Sequence, residues 1–278
     1  MKNNSLPTGQ FVRVGNGLEL HFNDAGLGLP VIFIHGSGPG ASGWSNFKQN
    51  YPLFTEAGYR AIVPDLPGYG LSSKPETEYV LDFFVEALFD LVDSLGLERY
   101  ALVGNSLGGA IAIKMALDRP QQVCRLVLMA PGGLMEKEAY FQQMEGIQKM
   151  ATAFMGGTLD HEGMRELLKL QLHDPALISD ETINERVQVV RTQPKCVLST
   201  MQVPNMASRL HELQCPILGF WGQDDRFCPV SGVATMMQAC SRIRFNVLSE
   251  CGHWVMVEHR DLFNRESIEF LNESRAER

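Results

Sequence analysis

The sequence predicts an α/β fold: a mostly parallel, doubly wound sheet with a helical lid inserted between core strands. Three observations predict it. Short apolar runs recur along the 278 residues, mostly without in-out alternation, as strands covered on both faces read. Helical patterns separate these runs, and strands alternating with helices build parallel sheets. From about residue 133 to 204 the strand rhythm stops and the pattern becomes helical, while strand runs resume beyond it.

In chain order, "FVRVGNGLELHF" reads as an antiparallel hairpin that opens the sheet. "VIFI" (31–34) and "AIV" (61–63) are the next strands. Leu81, Phe84, Val85, Leu88, Leu91, Val92 and Leu95 then recur at helical spacing, closed by Gly96 as a C-cap. "ALV" (101–103) runs into "GNSLGGAIAIKMALDRP", a strand turning into a helix, and "RLVLM" (125–129) follows. The insertion holds three helical stretches, "YFQQMEGIQKMATAFM", "DHEGMRELLKLQLH" and "DETINERVQVVRTQ". "PILGFW" (216–221) and "RFNVL" (244–248) complete the sheet. The expected organisation is a core of residues 1–132 and 205–278 with a lid of residues 133–204. The lid methionines Met144, Met150, Met155 and Met164 read singly as packing; as a set they suit an adaptable apolar pocket wall. Removing the lid is expected to cost specificity more than core stability.

Composition narrows the function. A 45% hydrophobic, 20% charged chain has the balance of a globular protein. Its net charge of −8 argues against a nucleic-acid surface, which needs clustered Lys and Arg. The start "MKNNSLPTGQ" carries no apolar signal-peptide core, and no apolar run approaches the roughly 20 residues of a membrane helix. Six cysteines without a C-x-x-C pair read as reduced thiols. The expectation is a cytoplasmic enzyme acting on small molecules.

The chemistry begins at Ser106, between glycines at a strand-to-helix junction. A Gly-x-Ser-x-Gly turn there thrusts the hydroxyl out above the sheet edge, although an ordinary Gly-rich turn fits the same five residues. A serine needs a base, and the base an orienting carboxylate. "GQDDRF" puts Asp225 just past one strand, and "CGHW" puts His253 just past the next. The order Ser, Asp, His, each after its own strand, is that of the α/β-hydrolase fold. Asp224 competes with Asp225; the latter sits deeper in the loop and is preferred, leaving Asp224 to cap or solvate the turn. His21, His161, His173, His211 and His259 lack strand-end placement and read as solvated or packed. Acyl transfer also needs preplaced N–H donors for an oxyanion. Leu107 supplies one, and the loop "HGSGPGASGWSNF" the other, its Gly36, Gly38 and Gly40 letting main chain approach a ligand. That loop lacks the Gly-Lys-Ser/Thr of a phosphate cradle.

"HGSGPGASGWSNF", "DLPGYGLSSKP", "GNSLGGA", "GQDDRFCP" and "CGHWVMVEH" resemble, across nearly the whole chain, the meta-cleavage product hydrolases, carbon-carbon bond hydrolases of aromatic degradation. The resemblance implies a 2-hydroxy-6-oxohexa-2,4-dienoate substrate cleaved to 2-hydroxypenta-2,4-dienoate and a carboxylic acid. It implies no cofactor, no metal and at least a homodimer. It further implies a triad of Ser106, Asp225 and His253, with Ser37 and Leu107 as oxyanion donors and Gly36 and Gly38 against the substrate. Ser37 stands where the family often has glycine. Asn46, Asn105 and Trp254 would surround the dienoate, and Arg186 would grip its carboxylate, with Arg191 the alternative. A carboxylesterase leaves Arg186 and Asn105 without a task; a ligand-binding receptor on the same scaffold is the reading from another class.

Overall fold

Eight strands build the sheet: β1 (Gln10–Arg13), β2 (Glu19–Ala25), β3 (Pro30–Ile34), β4 (Arg60–Pro64), β5 (Tyr100–Asn105), β6 (Val123–Met129), β7 (Ile217–Gly222) and β8 (Ile243–Leu248). The computed structural model describes residues 6–157 and 159–276, so residues 1–5, on which the reading of the N-terminus partly rests, lie outside the described residues. The strands follow the order β1-β2-β4-β3-β5-β6-β7-β8. The hairpin forms as its sequence predicts, with Val12 opposite Leu20, and β2 then runs antiparallel to β4. From β4 onward every pairing is parallel.

The helices are α1 (Gly43–Phe47), α2 (Tyr51–Glu56), α3 (Leu81–Ser94), α4 (Leu107–Asp118), α5 (Lys137–Gln143), α6 (Glu145–Met155), α7 (His161–Lys169), α8 (Asp180–Val190), α9 (Cys196–Ser199), α10 (Gly232–Ala239), α11 (Val255–Glu258) and α12 (Arg260–Ala276). Helix α3 ends where its pattern ends. Gly96 takes φ +64°, and the N–H groups of Gly96 and Leu97 return to the carbonyls of Asp93 and Val92, satisfying the last turn.

Strand residues alternate between two hydrophobic clusters, so both faces of the sheet are covered. Ile32, Ile34, Ile62 and Leu102 pack with α3 and α4 on one face. Val31, Phe33, Val63 and Val103 pack on the other with Phe263 and Phe270 of α12. This is why the strands read as continuous apolar runs. Edge strand β8 departs from that pattern, with Val247 47% exposed. Of the helices α5 to α9 between β6 and β7, α6, α7 and α8 are anchored in the second cluster through Phe154, Met164, Leu167, Ile183 and Val187, while Tyr140 of α5 and Val197 of α9 pack on the first. Because β3, β5, β6, β7 and β8 are parallel, their C-terminal ends open on one edge, and the loops after them meet beneath those helices.

Candidate active site

Ser106 follows β5 directly and caps α4 with φ +56° and ψ −116°, a conformation that costs a non-glycine residue about 1–3 kcal/mol. Its neighbours explain why the turn can be so tight. A Cβ on Gly104 would lie 2.4 Å from the Gly108 carbonyl oxygen, and one on Gly108 would lie 2.0 Å from that of Ile34. Only glycine lets strand and helix close together there, and the half-buried serine is left at the rim. It shares a cavity wall with Cys228, whose thiol burial holds well above its usual 9.0 and hence protonated. As first residue of α4, Leu107 has an N–H without an acceptor inside the helix.

Oδ2 of Asp225 lies 2.7 Å from Nδ1 of His253, and both side chains are buried. Its other oxygen accepts the N–H groups of Phe227 and Cys228 at 2.7 and 3.0 Å. Asp224 points elsewhere, with Oδ2 3.0 Å from Nδ1 of the half-exposed His173. The loop carrying His253 is held from above: the Gln171 carbonyl accepts the N–H groups of His253 and Trp254 at 2.8 and 3.2 Å. Glu258 spans the same seam, one oxygen accepting from His173 N–H and the other from Gly252 N–H, each at 2.6 Å.

After β3, His35 fixes the glycine loop. Its Nδ1 donates to the Gly36 carbonyl at 2.8 Å and its Nε2 accepts from Leu66 N–H at 3.0 Å. Burial drives its pKa down to about 4, so the ring stays neutral. His21 is likewise packed inside, against Asp65. Asp65 also accepts from Gly43 and Leu71 N–H, which gives "DLPGYGLSS" a structural task.

Arg186, on α8, is 2% exposed. Its guanidinium donates to two neutral oxygens, Pro39 O at 3.2 Å and Asn46 Oδ1 at 3.0 Å, and lies 4.7 Å above the Trp254 ring. Its Nε has no partner among the described residues. The adjacent carboxylate, Glu185, turns away to Lys48 at 2.8 and 2.9 Å. Burial pulls the pKa of Arg186 down to about 9, so a full positive charge persists at neutral pH in a buried site. Gly38 leaves room for it, since a Cβ there would meet Nη1 at 3.0 Å. Arg191 is exposed, at the C-cap of α8.

Ser106 stands where two cavities meet. The first is of mixed polarity and is lined by Gly36, Ser37, Gly38, Asn46, Asn105, Met150, Arg186, His253 and Trp254, which the sequence singles out, and by Gln171, Ile147 and Phe227, which it does not. The second, about 850 Å³ with its open mouth, is apolar: Leu107, Tyr140, Phe141, Met150, Leu198, Met201, Val203 and Phe227 line it, with Lys137 and Cys228. Of the four lid methionines only Met150 reaches these walls; Met164 is core and Met155 is 51% exposed, so they do not act as a set. Gln171 had one legible signal, a lone carboxamide in the apolar run "LLKLQL".

Fold and site together define a serine-type α/β-hydrolase. Residues 31–266 match the alpha/beta hydrolase family. The chain is 35% identical to the 2-hydroxy-6-oxononadienedioate/2-hydroxy-6-oxononatrienedioate hydrolase of Comamonas testosteroni, over 96% of this chain and 98% of that one. It is also 35% identical to the 2-hydroxy-6-oxo-6-phenylhexa-2,4-dienoate hydrolase of Burkholderia cepacia, over 95% and 96% of the two chains. The crystal structure of the meta-cleavage product hydrolase of Pseudomonas fluorescens IP01 superposes with a TM-score of 0.85 at 31% identity, covering 96% of this chain and 98% of that one. The chain belongs to the alpha/beta hydrolase family and, within it, to the meta-cleavage product hydrolases.

Proposed function

We propose that this protein hydrolyses the C5–C6 bond of a 2-hydroxy-6-oxohexa-2,4-dienoate ring-fission product, releasing 2-hydroxypenta-2,4-dienoate and a carboxylic acid. The observation that carries this reading is Arg186, a buried guanidinium paired, among the described residues, only with neutral oxygens in the cavity that holds Ser106 and His253. A planar fork in a buried site is matched to a carboxylate. An ester hydrolase has no use for it.

The residues divide the chemistry. With the carboxylate on Arg186, the dienoate lies along Asn46, Asn105 and Trp254. His253, held by Asp225, moves a proton from the C2 hydroxyl to C5, giving the 2,6-dioxo form. Ser106 then gives its proton to His253 and attacks the C6 carbonyl, while the N–H groups of Ser37 and Leu107 stabilise the oxyanion. As the C5–C6 bond breaks, its electron pair delocalises through C3=C4 into the C2 carbonyl as a dienolate, which takes from His253 the proton received from Ser106 and leaves as the dienol, with an acyl group on Ser106 and His253 neutral again. Water activated by His253 releases the acid. The apolar second cavity takes the C6 substituent, which favours an aryl or alkyl group.

The resemblance further supports a homodimer, at least. Six free cysteines fit a reducing cytoplasm. Among the described residues no helix is long and apolar enough to cross a membrane. The deciding experiment follows the yellow dienolate of 6-phenyl, 6-alkyl and 6-carboxyalkyl substrates with purified protein and with Ser106→Ala. Rapid bleaching by the wild type and none by the folded variant is expected; hydrolysis of simple esters without bleaching would replace this reading with a carboxylesterase.

A further inference from the structure

Gln171 lies between α7 and α8, 4% exposed, and its main-chain carbonyl is engaged by His253 and Trp254. Its carboxamide oxygen is buried and has no hydrogen-bond partner among the described residues. The residue lines the first cavity with Arg186, Asn46, Asn105 and His253. A buried acceptor left unpaired is unfavourable, and a ligand that brings a donor removes the penalty.

The substrate class named above, on which this inference rests, limits what that donor is. The carboxylate at the Arg186 end offers only acceptors and would repel a carboxamide oxygen. The C2 hydroxyl is the one donor on the dienoate chain. We infer that Gln171 is a specificity-determining residue whose side chain accepts a hydrogen bond from the C2 hydroxyl as the substrate binds, before that hydroxyl turns its one proton to His253. A carboxamide also carries N–H donors on the same carbon. Rotation about its last bond presents a donor to the C2 oxygen once that oxygen has become a carbonyl, so one side chain serves both tautomers. Because the main chain of Gln171 also holds the His253 loop, reading the hydroxyl and placing the base are joined in one residue.

The test compares two competitive inhibitors, freshly prepared 2-hydroxypenta-2,4-dienoate and penta-2,4-dienoate, which differ only in the C2 hydroxyl. The wild type should bind the hydroxylated acid about 10-fold more tightly, and Gln171→Met, which keeps length and volume, should bring the ratio near one. The same substitution should lower kcat/KM for the 6-phenyl dienoate by about 10- to 100-fold. Gln171→Leu is the second variant, and near-UV circular dichroism selects whichever folds as the wild type does. A wild-type ratio near one, or a ratio that survives substitution, overturns the role of Gln171 alone while wild-type dienoate turnover stands. A wild type that does not consume the dienoate takes down both this inference and the functional reading beneath it.

Discussion

Asp225 and His253 are joined through Oδ2 and Nδ1 at 2.7 Å, and the second carboxylate oxygen is locked by two main-chain N–H groups. The carboxylate therefore cannot swing away, Nδ1 keeps its proton, and Nε2 remains the basic nitrogen. Asp225→Asn should preserve the fold and lower kcat by roughly 10³- to 10⁴-fold, because an amide favours the wrong tautomer. Steady-state kinetics of the folded variant measures this, and a loss below about tenfold would take the orienting role from Asp225.

Arg186 gives the second prediction. Arg186→Leu should reduce kcat/KM on a dienoate far more than on p-nitrophenyl acetate, which has no anionic end. Losing a charge-assisted contact in a buried site costs about 2–5 kcal/mol. Arg186→Lys should recover part of it, since an ammonium lacks the fork. Equal losses on both substrates would make Arg186 a support for α8 rather than a substrate contact.

His35 makes stability depend on acid. Its folded pKa, about 4, lies below the usual 6.5 because burial disfavours the charged ring. Above pH 6.5 both folded and unfolded states are neutral and the full stability is present. Between 6.5 and 4 the unfolded chain takes up a proton that the folded one refuses, so stability falls as pH falls. The loss approaches about 3 kcal/mol for this group. Urea midpoints at about pH 7 and about pH 5 should differ less in His35→Gln than in the wild type. An identical pH dependence in the two proteins would exclude His35 as the source.

The lid gives the fourth. Its helices share a hydrophobic cluster with the sheet, and Gln171 supplies the carbonyl that holds His253 and Trp254. Replacing residues 133–204 with a short linker should therefore abolish ester hydrolysis along with dienoate cleavage and lower Tm, beyond the loss of specificity that the sequence alone leads one to expect. Ester kinetics and a thermal melt on the soluble protein check it. Ester turnover near that of the full chain would show that His253 is placed by the core alone.

How much was legible follows from where the information sits. The strands, α3 with its Gly96 cap, and the positions of Ser106, Asp225 and His253 could be read because each is written locally: an apolar period, a glycine at a left-handed residue, a turn just past a strand. Parallel pairing then brings those turns to one edge without further instruction. The lid is different. Its helices were readable, but not which side chains face the cavity, because a helical pattern gives a face and not what that face meets. Only packing on the sheet put Arg186 inside and Arg191 outside, Met150 in the wall and Met155 at the surface, and enclosed Gln171. Those choices arise from contacts between segments far apart in the chain, whereas local periodicity records only what each segment prefers to bury.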